Sequence, residues 1–84
     1  MSRYSIAPSA VADLDEIWLR IARNSSPEVA QCFVESMTST FPLLAANPGM
    51  GRRRPNLGEG LHSFPISNYR IYYRQDSHGL VRIL

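Results

Sequence analysis

Two apolar stripes at helical spacing constrain the fold of this chain of 84 residues more than any other feature. The helix-breaking segment 24–27 separates them, so they belong to two helices joined by a short connection. Neither helix can bury its stripe alone, so we expect a sheet to follow. The first stripe consists of Val11, Leu14, Ile17, Trp18 and Ile21, and the second of Ala30, Phe33, Val34, Met37, Phe41 and Leu44.

Local signals predict where the second helix begins, bends and ends. Ser25 and Glu28 match a capping box, which predicts Ser25 as the N-cap. Pro42 predicts a kink or break near residues 38–41, because proline removes one hydrogen bond and clashes with the preceding turn. The Asn-Pro-Gly run at 47–49 is a strong stop signal.

The remaining segments favour strands and one long loop. Residues 49–60, rich in glycine and arginine, are predicted to be a loop, and Pro65 confines its strand to an edge or a bulge. Residues 69–74 form the strongest strand pattern, because they are aromatic and β-branched and alternate in polarity. The fold class is therefore α+β, one domain over residues 1–84 in the order β-α-α-β-β-β, with a helical hairpin packed on a small antiparallel sheet. The predicted strands are 4–6, 61–66, 69–74 and 80–84.

Charge is distributed unevenly along the chain. All nine basic residues are arginine, and the net charge is +2. Residues 1–50 hold three arginines against five acidic residues, a net −2, whereas residues 51–84 hold six against two, a net +4. This asymmetry points to an anionic partner for the second half, unless the two halves neutralise each other in the fold.

Several function classes find no support in the sequence. His62, His78 and Cys32 are scattered, so no metal site is expected, and a single cysteine forms no internal disulfide. Cys32 lies near the apolar face of its helix, where we expect a packed thiol. No phosphate-binding glycine motif, hydrolase triad or cofactor motif is visible. With no signal peptide and no stretch of about 20 apolar residues, we expect a cytoplasmic protein without membrane contact.

The arginines and their aromatic neighbours are the candidate functional residues. Alternation along residues 69–74 predicts an apolar face with Tyr69, Ile71 and Tyr73, and a basic face opposite. Arginine binds phosphate or carboxylate through paired hydrogen bonds and tyrosine stacks on bases, so this face suits RNA or an acidic protein segment. Alternatively, the arginines pair with acids from the helices or cover the sheet with their stems. The candidates are Arg52, Arg54, Arg70, Tyr72, Arg74 and Arg82.

A long motif with tight spacing occupies the second half of the chain. It reads Asn47-Pro48-x-x-Gly51-Arg52-x-Arg54-Pro55-x-Leu57-x-x-Gly60-Leu61-x-Ser63-Phe64-Pro65, followed by Tyr69-Arg70-Ile71-Tyr72-Tyr73-Arg74. Tyr4-x-Ile6-x-Pro8 and Ala12-Asp13-Leu14-x-Glu16-Ile17-Trp18 precede it. With these residues the chain resembles the ParE branch of the ParE/RelE toxin superfamily over essentially its whole length.

The resemblance implies a toxin of a type II toxin–antitoxin system that acts by binding. ParE toxins poison DNA gyrase, trap cleaved DNA and have no recognised active site. A ParD-type antitoxin neutralises them by laying a partly disordered tail, including a helix, across the toxin. We therefore expect no catalytic residue and no cofactor, a ParD-like antitoxin and DNA gyrase as partners, and no sequence-specific nucleic-acid binding by the chain alone.

Two alternatives remain beside the gyrase inhibitor. The RelE branch cleaves mRNA on the ribosome with basic residues on the sheet, and Arg70 matches one of its functional positions. A chain without lysine and with a net charge of +2 is a poor fit to that activity. Family members continue past the position of Leu84, so we expect the last strand to be cut short. That departure keeps open a non-toxic domain that only binds an antitoxin.

Overall fold

Two long helices form a hairpin that packs on one face of a five-stranded sheet. The computed structural model describes residues 4–84. The helices are α1 (Pro8–Asn24) and α2 (Pro27–Ala46), and a single 3₁₀ turn spans Pro48–Met50. The strands are β1 (Tyr4–Ile6), β2 (Arg52–Arg53), β3 (Leu61–Ile66), β4 (Tyr69–Gln75) and β5 (Val81–Ile83).

The predicted α+β class and the helical hairpin on a sheet are confirmed, but the sheet is mixed rather than antiparallel. Its strand order is β1-β5-β4-β3-β2. Strands β2 to β5 pair antiparallel with their neighbours, whereas β1 pairs parallel with β5. The chain passes through both helices between β1 and the rest of the sheet, and that crossover allows the parallel pairing. The Ala7 N–H extends the pairing of β1 with β5 by donating to the carbonyl oxygen of Ile83 at 2.8 Å.

The segment predicted to be an uninterrupted loop contains the short strand β2. Arg52 lies opposite Ser63 and Arg53 opposite His62 in an antiparallel pair. Two residues are too few for a visible alternation of polarity, so no periodic signal marks this strand. Because β2 ends there, Pro65 lies on a free edge of β3, as its missing N–H requires.

Helix α2 differs from its prediction at the N-cap and at Pro42, whereas its end at Ala46 agrees with the stop signal at 47–49. Its N-cap is Ser26, not Ser25, and the Ser26 hydroxyl accepts a hydrogen bond from the Val29 N–H at 3.2 Å. Pro42 does not break the helix, which continues to Ala46. Pro42 lies on the exposed side of the helix, where water can hydrate the carbonyl that the missing N–H would have bound.

The core lies between α2 and the sheet. Tyr73, Leu44 and Val81 are completely buried, whereas α1 buries only Ala10. Tyr69 faces the helices as predicted but is only half-buried. Cys32, expected to be packed, is exposed. The buried core cluster consists of Ala7, Ala10, Met37, Phe41, Leu44, Ile71, Tyr73, Val81 and Ile83.

Candidate functional site

All six candidate residues lie on one face of the sheet, on the side away from the helices. Residues opposite each other in neighbouring strands share a face. Arg52 lies opposite Ser63 of β3, which lies opposite Tyr72 of β4, and Arg74 lies opposite Arg82 of β5. Alternation places Arg70 on the same face as Tyr72, and Arg54 follows Arg52 at the same two-residue step. We call this set the arginine face: Arg52, Arg54, Arg70, Tyr72, Arg74 and Arg82.

Three of the five guanidinium groups of this face hydrogen-bond to neutral oxygen atoms. Asp13 and Glu16 of α1 line a cleft together with Arg70, so the alternative of internal neutralisation stays open at that residue, whereas the observed bonds of the other arginines are made to uncharged oxygens. Arg52, Arg70, Arg74 and Arg82 are exposed, and Arg54 and Tyr72 are half-buried. The three bonds run from Arg54 Nε to Ser63 Oγ (2.8 Å), from Arg74 Nε to the Glu59 carbonyl oxygen (3.1 Å) and from Arg82 Nη1 to Ser5 Oγ (3.1 Å).

A folded loop, residues 54–60, covers one end of the arginine face. It buries Leu61 and Ser63, which point away from the helices and would otherwise be open to water. The Arg54 N–H donates to the Leu61 carbonyl oxygen at 2.8 Å, and Gly60 has a φ of +71°, which favours glycine. A Cβ on Gly58 would lie 3.0 Å from Arg74 Nη2. The loop therefore helps to position two of the arginines.

The completely buried Tyr73 anchors the start of β2 from the helix side of the sheet. Its hydroxyl donates to the Pro48 carbonyl oxygen at 2.7 Å and accepts from the Gly51 N–H at 2.8 Å. The ring of His62 stacks on it, with centroids 5.3 Å apart. Burial raises the pKa of the Tyr73 hydroxyl, and the Gly51 hydrogen bond partly opposes that shift. Sequence analysis placed Tyr73 in the core without foreseeing this role.

Comparisons with known proteins show the family of this chain. Residues 4–84 match the family model described as "ParE toxin of type II toxin-antitoxin system, parDE". The chain belongs to the ParE toxin family. It is 30% identical to Toxin ParE1 of Caulobacter vibrioides over 74 residues, covering 88% of this chain and 77% of the relative. It is 25% identical to Toxin ParE1 of Mycobacterium tuberculosis over 83 residues, covering 99% of this chain and 85% of the relative.

The fold of this chain also matches that of a solved structure. The structure titled "Chromosomal ParDE TA system from P. aeruginosa" superposes with a TM-score of 0.83 at 22% identity. The match covers 100% of this chain and 91% of that one. Three residues of the long sequence motif lie at close contacts of the loop and strands described above. Gly51 approaches Tyr73, Gly60 takes the positive φ in the loop, and Ser63 accepts the hydrogen bond of Arg54.

A cleft of about 260 Å³ separates α1 from the start of β4, and sequence analysis did not foresee it. Leu14 and Ile17 of α1, Met37 and Phe41 of α2 and Ile71 of β4 form its apolar wall. Charged residues of both helix and sheet also line it: Asp13, Glu16, Arg20 and Arg70. Arg70 therefore connects the cleft with the arginine face.

The other ionisable residues are not brought together. Within residues 4–84, no three histidine, cysteine, aspartate or glutamate side chains group as a metal site would require. His62 stacks on Tyr73 on the helix side of the sheet, whereas His78 lies in the turn after β4, where its backbone N–H donates to Asp76 Oδ1 at 2.8 Å. Neither described helix is long and apolar enough to cross a membrane.

Proposed function

We propose that this ParE-family chain inhibits DNA gyrase by binding and is neutralised by a ParD-like antitoxin in the bacterial cytoplasm. One observation carries the proposal: a member of a toxin family presents its six candidate residues on one exposed face. The pairing of ParD with ParE in the P. aeruginosa structure supports the antitoxin as partner. The toxin acts as a ligand in this proposal, so no residue is given a catalytic role.

The arginine face is the surface proposed to engage the target. Its side chains are not needed to bury the core, which lies on the other side of the sheet. The bond from Arg54 Nε to Ser63 Oγ fixes the guanidinium plane and leaves Nη1 and Nη2 for an anionic group. Held in place before binding, such a group loses less side-chain entropy when a partner arrives.

The cleft beside α1 is the surface proposed for the antitoxin. Helix α1 buries only Ala10, so the apolar stripe at Leu14 and Ile17 is left half-covered. An amphipathic segment of an antitoxin would cover this stripe with apolar side chains and reach Arg20 or Arg70 with acidic ones. Burial of the stripe would supply most of the binding free energy.

A gyrase assay tests the target. Purified protein is mixed with gyrase, ATP and relaxed plasmid, and we expect lost supercoiling and linear DNA after denaturation of the enzyme. R52A/R70A should poison gyrase at least tenfold less effectively. R23A/R53A removes the same charge from exposed positions off the face and should match the unmodified chain. Normal supercoiling with the unmodified chain would exclude the gyrase target.

Co-expression tests the antitoxin. We expect the product of the adjacent gene to co-purify with this chain and to restore supercoiling in the gyrase assay. Recovery of free toxin despite co-expression would contradict the proposed neutralisation. Cleavage of ribosome-bound mRNA by the purified chain, with gyrase unaffected, would establish the interferase alternative instead.

A further inference from the structure

The arginine face has the chemistry of a surface that binds the phosphate backbone of a nucleic acid. Five of its six members are arginines, and the strand positions of the face contain no acidic residue. On this face, β3 exposes Pro65 as its one apolar residue, because Leu61 and Ser63 are buried beneath the loop and Arg54. Protein–protein interfaces have an apolar, desolvated centre, whereas protein–DNA interfaces are more polar and far more positively charged.

The dimensions of the face suit a duplex. Arg70 and Arg74 are four residues apart on one strand, about 13 Å, and β2 and β5 are three strand spacings apart, about 14 Å. Along about 13 Å, duplex DNA carries on the order of eight phosphate charges. That count includes both strands, so the part of it on the near side of the duplex still offers phosphates to several of the arginines.

The aromatic content of the face favours a duplex over a single strand. Proteins that hold single-stranded nucleic acid stack successive bases on several aromatic side chains. Here Tyr72 is the single aromatic member of the face, and it is half-buried between Arg70 and Arg74. Contacts to the backbone by charge alone need no such stack and carry no sequence information.

We propose that the arginine face binds the phosphate backbone of duplex DNA without sequence specificity. This inference rests on the proposed function, since DNA gyrase holds a duplex that an inhibitor on the enzyme can reach. The toxin then binds the gyrase–DNA complex through both of its components. Three of the arginines are already held by hydrogen bonds to neutral oxygens, which leaves their remaining N–H groups for phosphate oxygens.

Fluorescence anisotropy with a labelled 20-base-pair duplex of mixed sequence tests the proposal directly, without gyrase. We expect binding that weakens as salt rises, with a log–log slope near −0.9 for each phosphate contact. R52A/R70A should weaken binding roughly 10- to 100-fold at 50 mM salt and reduce the slope by about 2. R23A/R53A, with the same net charge, should bind within about twofold of the unmodified chain.

A third variant distinguishes the effect of lost charge on DNA binding from an effect of misfolding. R52K/R70K keeps both charges and should retain binding within several-fold, with nearly the same salt slope, because backbone binding depends mainly on charge. Thermal melts of all variants should agree, since the side chains of Arg52 and Arg70 are exposed. Equal losses in R52A/R70A and R23A/R53A would mean that net charge alone attracts DNA, and the proposed surface would be wrong.

The remaining outcomes distinguish this inference from the gyrase proposal. Absence of duplex binding at 50 mM salt overturns the inference, even if gyrase is poisoned through Arg52 and Arg70, because those residues then contact the enzyme itself. Preferred binding of a 20-nucleotide RNA by tenfold or more also overturns it. Duplex binding with R52A/R70A-dependent affinity upholds it, whether or not gyrase proves to be the target.

Discussion

At the scale of single residues, Tyr73 connects the core to the candidate site. Its ring is completely buried, and its hydroxyl holds the backbone at Pro48 and Gly51, directly before the first arginine of the face. Removal of the hydroxyl would leave the part-buried Gly51 N–H and Pro48 carbonyl oxygen without this partner. One phenol thus fixes the position from which β2 begins.

Tyr73→Phe should lower the free energy of unfolding by about 1–3 kcal/mol, because both hydrogen bonds are lost while the ring is kept. Urea titration near pH 7 measures this change. In the unmodified chain the pKa of the Tyr73 hydroxyl is raised by burial. At alkaline pH this hydroxyl therefore stays protonated in the folded chain, whereas it already ionises in the unfolded chain. Stability from this group is therefore complete below about pH 10 and falls as the pH rises towards the folded-state pKa. Tyr73→Phe should lack this part of the alkaline decline, and an unchanged decline would contradict the assignment.

Gly51→Ala should destabilise the chain by about 1–3 kcal/mol, because the added methyl overlaps the Tyr73 hydroxyl and lies 2.8 Å from the Ser63 carbonyl oxygen. Gly49→Ala is the matched control, since a Cβ there meets nothing within 4 Å. Differential scanning calorimetry compares the two midpoints. Similar midpoints for both variants would show that the approach of Gly51 to Tyr73 is not tight.

At the scale of elements, the sequence predicted the helices and strands that have a regular spacing of apolar residues. It missed the elements that depend on contacts between residues distant in the chain. The α2 stripe and the two faces of β4 follow from regular spacing, and the structure confirms them. On α1, in contrast, Val11 is exposed and the other stripe residues are only half-buried. The two-residue strand β2 and the packing of the 54–60 loop over Ser63 depend on contacts between distant residues. The position of the helix cap was missed by one residue, because Ser25 and Ser26 are equally good caps in isolation.

Ser26→Ala should lower the free energy of unfolding by about 1 kcal/mol, because the Val29 N–H loses its cap. For a domain of this size, that corresponds to about 4–8 °C in melting temperature. Ser25→Ala provides the comparison at the neighbouring position, where we expect a change below about 0.5 kcal/mol. A larger loss for Ser25→Ala would support the capping box instead of the cap in the structure.

At the scale of the whole molecule, the sheet separates two surfaces that a linear reading had merged into one basic half. The arginine face lies on one side of the sheet, and the cleft beside α1 lies on the other. Arg70 belongs to both, so a ligand in the cleft and a ligand on the face compete for space or for charge at this residue. Charge counting along the chain cannot find this division, because it arises from alternation along β4 and from the loose packing of α1.

Ile17→Ala should weaken antitoxin binding about tenfold, because Ile17 lines the cleft, whereas Leu19→Ala on the same helix should change it less than twofold. Both substitutions shorten an aliphatic side chain to a methyl group, but Leu19 is 47% exposed and lies outside the cleft. Titration calorimetry with the purified antitoxin measures both affinities, and melting curves verify that each variant is folded. Equal weakening would place the antitoxin elsewhere on α1. If Ile17→Ala weakens antitoxin binding while gyrase poisoning stays intact, Ile17 serves neutralisation and not toxicity, and the cleft and the arginine face are separable surfaces.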